Sequence, residues 1–361
     1  MKGGRLLRSI IRILIIISIL LAVGFYFNIG PKKNDDILVN ETNIESTNEH
    51  TFDESESFDM PYIKPPKEGL ISLIGKSKNE IIKLFGEPER KDPSLYGFDW
   101  WIYPINYYNY TQIGIKGNKV VTIYATGSDV QIPPFQIGQS ISDLYSLTIF
   151  EPAISINYQD SSYQFELSED DLNTRPLVRI GDFFAQLYFD KFNGTLSGIR
   201  LLDTETLINQ HPYEMVYRGE EPAEAAVEPI FEEQVERSIE KQIFEITNVF
   251  RVNNDLQPLE WDEKASDAAF AHSKDMYESG DFSHTSKEFG ELADRLDAAE
   301  VVYEAAGENI AANYTDAPAV VEGWLNSKGH RESLLSDEFT HLGVGVYKKH
   351  YTQNFIEKSK E

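Results

Sequence analysis

The sequence predicts an α+β protein carried behind an N-terminal transmembrane helix. Three observations carry this. A long uncharged apolar run follows a basic N-terminus. Between about residues 69 and 219, short serine-capped helical segments alternate with strand-like runs. From about residue 234 onward, a longer one-sided helical stripe leads into further helix and strand signals.

At the N-terminus, Lys2, Arg5, Arg8 and Arg12 precede the uncharged run Ile13–Gly30. With Ile10 and Ile11 ahead of Arg12, whose side chain can snorkel, the segment is about long enough to span a bilayer. Only Lys32 and Lys33 follow it closely, which orients the N-terminus inside and the remainder outside. The segment ends Gly24-Phe25-Tyr26-Phe27-Asn28, a poor cleavage site, so an uncleaved single-pass anchor at 1–30 is expected over a removed signal peptide. Residues 31–68 interleave Asp and Glu with Asn, Ser and Thr and close on Pro61, Pro65 and Pro66. They bury too little apolar surface to repay ordering and read as an acidic, disordered tether.

Residues 69–219 contain an internal echo. Ile74-Gly75-Lys76-Ser77 opens one unit (about 74–130), and Ile137-Gly138-Gln139-Ser140 opens another (about 137–205). In each, the serine caps a short helix that stops at Gly86-Glu87-Pro88 or Phe150-Glu151-Pro152. Strands are expected at 98–103, 111–115, 120–124, 154–158, 163–167, 183–189 and 196–201, so each unit reads as a helix on a small antiparallel sheet. Trp100, Trp101, Tyr103, Tyr107, Tyr108 and Tyr110 fit half-buried strand positions better than a ligand platform. An acidic linker, 220–233, follows. Phe231, Val235, Ile239, Ile243, Ile246 and Phe250 then recur at helical spacing, and the charges on the other side, Glu232 to Lys241, read as a solvated face.

The net charge of −26, from 59 acidic and 33 basic residues, argues against nucleic acid as a partner. There is no cysteine, which excludes disulfides, thiol catalysis and thiolate metal sites.

Four motifs occur in order in the last third: Phe282-Ser283-His284-Thr285, Ala306-Gly307-Glu308-Asn309-Ile310-Ala311, Trp324 through Gly329-His330-Arg331, and Phe339-Thr340-His341-Leu342-Gly343-Val344-Gly345-Val346. Together they resemble the CAP superfamily (cysteine-rich secretory, antigen 5 and pathogenesis-related-1) in its bacterial form. The segment from Ile74 to Tyr103 resembles the CAP-associated N-terminal domain found ahead of such domains in Firmicute membrane proteins. The resemblance implies that 234–361 folds as an α-β-α sandwich with a cleft lined by two histidines and one or two glutamates. It places His284, Glu308 and His330 there. For the other acidic position Glu288 and Glu291 both qualify, and the fit of the following segment to the family's glycine–arginine pattern favours Glu291.

Two imidazoles and a carboxylate suit zinc with an open position, so His284, Glu308 and His330 form a candidate metal set. No motif places a nucleophile: Ser283 points away from His284, and Ser327 reads as a capping residue. His272, on the apolar side of its helix, reads as a buried, hydrogen-bonded structural histidine rather than a ligand. The leading expectation is a membrane-anchored extracytoplasmic protein that binds an envelope ligand or partner through this cleft. A metal-dependent hydrolase and a structural protein with an inert cleft are the alternatives.

Overall fold

The computed structural model describes residues 38–47, 63–103, 106–222 and 229–359. The anchor expected at 1–30, most of the tether and the centre of the acidic linker lie outside these residues. Among the described residues no helix is long and apolar enough to cross a membrane.

The echo in the middle of the sequence is a structural repeat. Helix α1 (Lys78–Phe85) is capped by Ser77, whose backbone N–H donates to the Glu80 carboxylate at 2.9 Å. Helix α2 (Ile141–Leu147) is capped by the Ser140 hydroxyl, which accepts from Asp143 N at 3.1 Å. Gly75 and Gly138, at equivalent places, both have φ of 82°. Each turn is pinned to a strand by a reciprocal bond pair: Gly75 N to Val120 O and Val120 N to Lys76 O, and Gly138 N to Leu196 O and Leu196 N to Gln139 O.

The repeats do not stand as two helix-plus-sheet units. Strands β3 (Arg90–Pro93), β4 (Asp99–Ile102), β5 (Tyr110–Lys116), β6 (Lys119–Thr126), β9 (Leu177–Ile180), β10 (Phe183–Asp190) and β11 (Thr195–Asp203) share one seven-stranded sheet, order β3-β4-β5-β6-β11-β10-β9. The halves meet at the antiparallel pair β6–β11, with Leu201 opposite Ile123. Hairpin β7 (Ala153–Tyr158) and β8 (Ser161–Glu166) leaves the second repeat for a separate four-stranded sheet. The short helices α3 (Glu169–Thr174) and α4 (Thr204–Gln210) flank β9 to β11. Strand β12 (Glu214–Arg218) pairs with β8 in a stretch where the sequence predicts no strand.

The acidic tether also needs correction. Within it, β1 (Leu38–Val39) pairs parallel with Ala311 and Ala312, and β2 (Ile44–Ser46) pairs parallel with Met215 to Tyr217. Asn40 N donates to Ala312 O, and the Asn40 side chain accepts from Arg175 at 2.9 Å. Backbone pairing needs no apolar side chains, so an acidic composition does not forbid it.

The C-terminal part is a sheet between two helical layers. Its strands are β13 (Glu260–Trp261), β14 (Ala305–Ala312), β15 (His341–Tyr347) and β16 (His350–Glu357), in the order β1-β14-β16-β15-β13. Helix α6 (Glu263–Ser279) lies against one face. A Cβ on Gly345 would stand 1.9 Å from Phe270 N, so only glycine admits this approach. The alternate residues Leu342, Val344 and Val346 point to the other face and join Ile239, Ile243, Ile246 and Val249 of helix α5 (Pro229–Asn253) in one buried cluster. Helices α7 (Leu292–Ala298), α8 (Ala317–Leu325) and α9 (Lys328–Leu334) complete the domain.

The charged face of α5 is solvated as expected at Glu233, Arg237 and Lys241, but not throughout. Glu236 and Glu240 are buried and accept the backbone N–H groups of Lys348 (2.8 Å) and Val346 (3.1 Å). Glu245 takes a two-pronged bond from Arg90 (2.7 and 3.1 Å) and a third from Tyr110 OH. The buried cluster runs on from α5 and α8 into Trp100, Ile102, Tyr110, Tyr124 and Tyr188 of the seven-stranded sheet. Trp100 and Tyr110 are thus core, as expected, while Tyr108 is exposed. Arg200 and Asp316, both buried, close the seam at 2.6 and 2.8 Å.

Glu322 on α8 is fully buried against the same sheet. It accepts from Ser197 Oγ (2.7 Å) and Tyr124 OH (2.9 Å). Burial pushes its carboxyl up to about 8, against the opposing pull of the two hydroxyls. The folded protein therefore keeps Glu322 protonated where the unfolded chain, near its ordinary 4.5, has ionised it. The stability it contributes is fully present below pH 4.5 and is lost as pH rises toward 8.

Two outcomes are expected. Glu322→Gln should melt with the wild type near pH 4.5 and above it at pH 8 and beyond, by at least a few degrees in scanning calorimetry; identical melting at both pH values would remove the buried-acid account. Deleting residues 1–47 should speed amide exchange in 305–312 and 214–218, measured by mass spectrometry; unchanged exchange in both segments would show that the β1 and β2 pairings contribute nothing.

Candidate functional site

Strand β14 carries the site, because consecutive residues on it serve opposite faces. Glu308 turns toward α6 and α7. Asn309 turns the other way and donates to the His330 carbonyl (3.1 Å) and to Gln353 Oε1 (3.1 Å). Gln353 donates onward to Thr247 of α5 at 2.8 Å.

The Glu308 side chain is 3% exposed and both its oxygens are engaged. Oε1 lies 2.9 Å from His284 Nδ1, and Oε2 lies 2.5 Å from Arg295 Nη2. Arg295, on α7, also donates to the carbonyls of His284 and Gly290, each at 2.9 Å, and so fixes the loop that presents the histidine. His272 on α6 places Nε2 3.9 Å from Glu308 Oε1. Burial would raise the Glu308 carboxyl, but the His284 hydrogen bond and the charges of His272 and Arg295 win and hold it below its ordinary value. Burial pushes His272 below the usual imidazole range, against the pull of Glu308. Both shifts have the same sign for folding: each group contributes stability that is lost on acidification, His272 as pH falls below 6.5 and Glu308 as it falls below 4.5.

His284 is the wet member of the set, with 32% of its side chain exposed over a dry support. His330 is buried, and its Nδ1 lies 2.7 Å from Ser327 Oγ. Its neighbour Arg331 reaches out of the domain to Asp190 at 3.0 Å and stacks on Phe192. Glu291 precedes α7, is exposed, and accepts from Thr285 Oγ1 at 3.0 Å; Glu288 is exposed as well. Neither carboxylate joins the Glu308 cluster. The charged partner that the segment does supply is Arg295. The sequence reading placed the glycine–arginine pattern there but gave the arginine no role. His272 is buried as expected but not hydrogen-bonded as expected: among the described residues neither of its ring nitrogens has a hydrogen-bond partner, and its nearest charged group is Glu308.

The candidate zinc set does not fit. Among the described residues no three His, Asp or Glu side chains stand where one metal ion could be held. The Glu308 oxygens are committed to His284 and Arg295, and a guanidinium at 2.5 Å opposes a second cation.

An α-β-α sandwich in which strand β14 buries a glutamate beneath a motif histidine, docked on a pseudo-repeated sheet, defines a two-part CAP protein. The model of the cysteine-rich secretory protein family matches residues 244–356, and that of the CAP-associated N-terminal region matches 74–213. The chain is 45% identical over 353 residues to the uncharacterized membrane protein YlbC of Bacillus subtilis, covering 98% of this chain and 99% of that one. An extracellular protein containing an SCP domain from Bacillus anthracis superposes with a TM-score of 0.78 at 43% identity, over 81% of this chain and 96% of that structure. A cysteine-rich secretory protein of Staphylococcus aureus superposes with a TM-score of 0.76 at 26% identity, over 90% and 98%. The chain belongs to the CAP family, in the form that carries the CAP-associated N-terminal region.

The Glu308–Arg295 pair sets a stability prediction. Arg295→Met and Glu308→Gln should each destabilise by about 3–5 kcal/mol, because each leaves a buried charge without its partner. The double variant should cost clearly less than the sum, read from urea unfolding. Additive costs would mean that the two groups are not energetically paired.

Proposed function

We propose that this is a membrane-anchored, extracytoplasmic CAP protein that binds a cell-envelope ligand through the surface around His284. The observation that carries the reading is the contrast within one cluster: a partly exposed imidazole held by a carboxylate and a guanidinium that are 3% and 4% exposed. Such an arrangement fixes the ring's orientation before any ligand arrives, which lowers the ordering cost of recognition. It supplies no nucleophile, and its carboxylate is neutralised in place. It therefore supports hydrogen-bonded recognition rather than hydrolysis.

The extracytoplasmic placement rests on the N-terminal charge bias and on the relatives, one a membrane protein and one an extracellular protein. Those relatives come from bacilli, which makes wall polymers the first ligands to examine.

The test follows the His284 ring resonances by NMR while soluble disaccharide–peptide wall fragments are added to residues 38–361. Saturable shifts that vanish in His284→Ala, with the rest of the spectrum intact, are the expected outcome. A silent ring at millimolar fragment would leave the cluster as a structural brace and overturn the wall-ligand reading.

A further inference from the structure

A second candidate site lies away from the His284 cluster, where the seven-stranded sheet domain meets α5 and the β15–β16 hairpin. A cavity of about 440 Å³ opens there, within the usual size range of small-molecule pockets. Its floor is apolar: Val235, Ile239, Val346 and Tyr351 are all buried. Its walls include Tyr96 and Tyr277, each with a lysine ammonium over its ring: Lys349 at 5.8 Å from the Tyr96 centroid, Lys348 at 5.1 Å from that of Tyr277.

The backbone around this cavity breaks a local rule. The two-residue turn between β15 and β16 has left-handed φ at both Lys348 (43°) and Lys349 (60°). A turn of that kind favours Asn-Gly or Asp-Gly, because at positive φ the Cβ crowds the following carbonyl oxygen and only Gly, or Asn and Asp with their local hydrogen bonds, adopts it readily. His211, which also lines the cavity, is left-handed too, with φ of 30°. Of the seven non-glycine residues with left-handed φ among the described residues, three line this one cavity, and they are the three basic ones. Strained residues that persist where a relaxed choice exists point to function. The clustering is also against the chain's composition, which is acidic by 26 charges.

We propose that this cavity binds a small organic anion with an apolar or aromatic body. Its acidic group pairs with Lys348, Lys349 and His211, and its body packs between the tyrosines on the apolar floor. Glu236, the buried acid beside it, already accepts the Lys348 backbone N–H at 2.8 Å, so it sets the turn. Glu232 at the rim limits the excess of positive charge and selects for a single acidic group over a polyanion.

The test compares the wild-type chain from residue 38 with the combined Lys348→Asn and Lys349→Gly variant, which relaxes the turn while deleting both cations. The probes are N-acetylphenylalanine, phenyl phosphate and the neutral N-acetylphenylalanine amide, titrated by calorimetry and NMR. The expected result is that the variant melts higher than the wild type but binds the anionic probes about tenfold or more weakly. The neutral amide should bind neither protein measurably. Comparing carboxylate with phosphate tells which acidic group the site prefers. Absent binding of both anions to the wild type, or equal binding by the variant, overturns the proposal.

Discussion

The architecture depends on burying helix α5 on more than one side. Its apolar stripe packs beneath the CAP sheet through Ile239, Ile243 and Ile246. The rest of the helix would ordinarily face water, yet Gln242 and Glu245 are buried against the seven-stranded sheet. Removing a carboxylate such as Glu245 from water costs several kcal/mol unless it is paired, so the seam must meet it with specific partners. Arg90 lies between Glu245 and Asp92, Gln242 donates to Asp92, and Arg200 closes on Asp316 further along. Apolar contacts alone would allow the domains to slide. These pairs leave one relative position in which no buried charge is stranded, and the shared apolar cluster fills the space between them.

The frame was legible in the sequence where local rules act alone. The serine caps at Ser77 and Ser140, the glycines ahead of them and the alternating strands from Phe98 to Leu201 are set by neighbours in the chain, and they appear as read. What was not legible is pairing at a distance. The echo in the sequence does not show that the two repeats fuse along β6 and β11, because nothing in a strand states which edge it will join. Strands β1 and β2 are hidden for a related reason: they are two and three residues long within an acidic stretch, and the backbone pairing that holds them leaves no mark in the composition. The burial of Glu236 and Glu240 is not legible because a charge run on a helix looks the same facing water or facing a neighbour's amides.

The same division explains the site. The motifs singled out His284, Glu308 and His330, since each stands in a short recognisable string. The partners that decide what Glu308 can do come from elsewhere: Arg295 from the helix after the histidine loop, His272 from the helix before it. His272 stands out only as a buried histidine and Arg295 only as part of the glycine–arginine pattern, and nothing in the sequence ties either to Glu308. Histidines and a glutamate at motif positions suggest zinc only while the glutamate is imagined alone. Once a guanidinium occupies one of its oxygens, the carboxylate becomes a counter-ion, and the neighbouring imidazole becomes a positioned hydrogen-bonding group.

This has a consequence for how the two parts of the chain act together. Arg331, next to His330 in the motif, spends its charge on Asp190, whose other oxygen accepts from the backbone of Phe192 and Asn193 at the β10–β11 turn. The N-terminal domain thus holds one end of helix α9 directly, while β1 adds a fifth strand to the CAP sheet beside β14, the strand that carries Glu308. Both supports reach the CAP domain at elements that bear motif residues. A CAP domain cut away from residues 38–219 would lose a strand, the partners of Glu245, Asp316 and Arg331 in three arginine–carboxylate pairs, and one wall of its core. The N-terminal part is therefore better understood as a portion of the scaffold that sets the site than as a spacer that carries it.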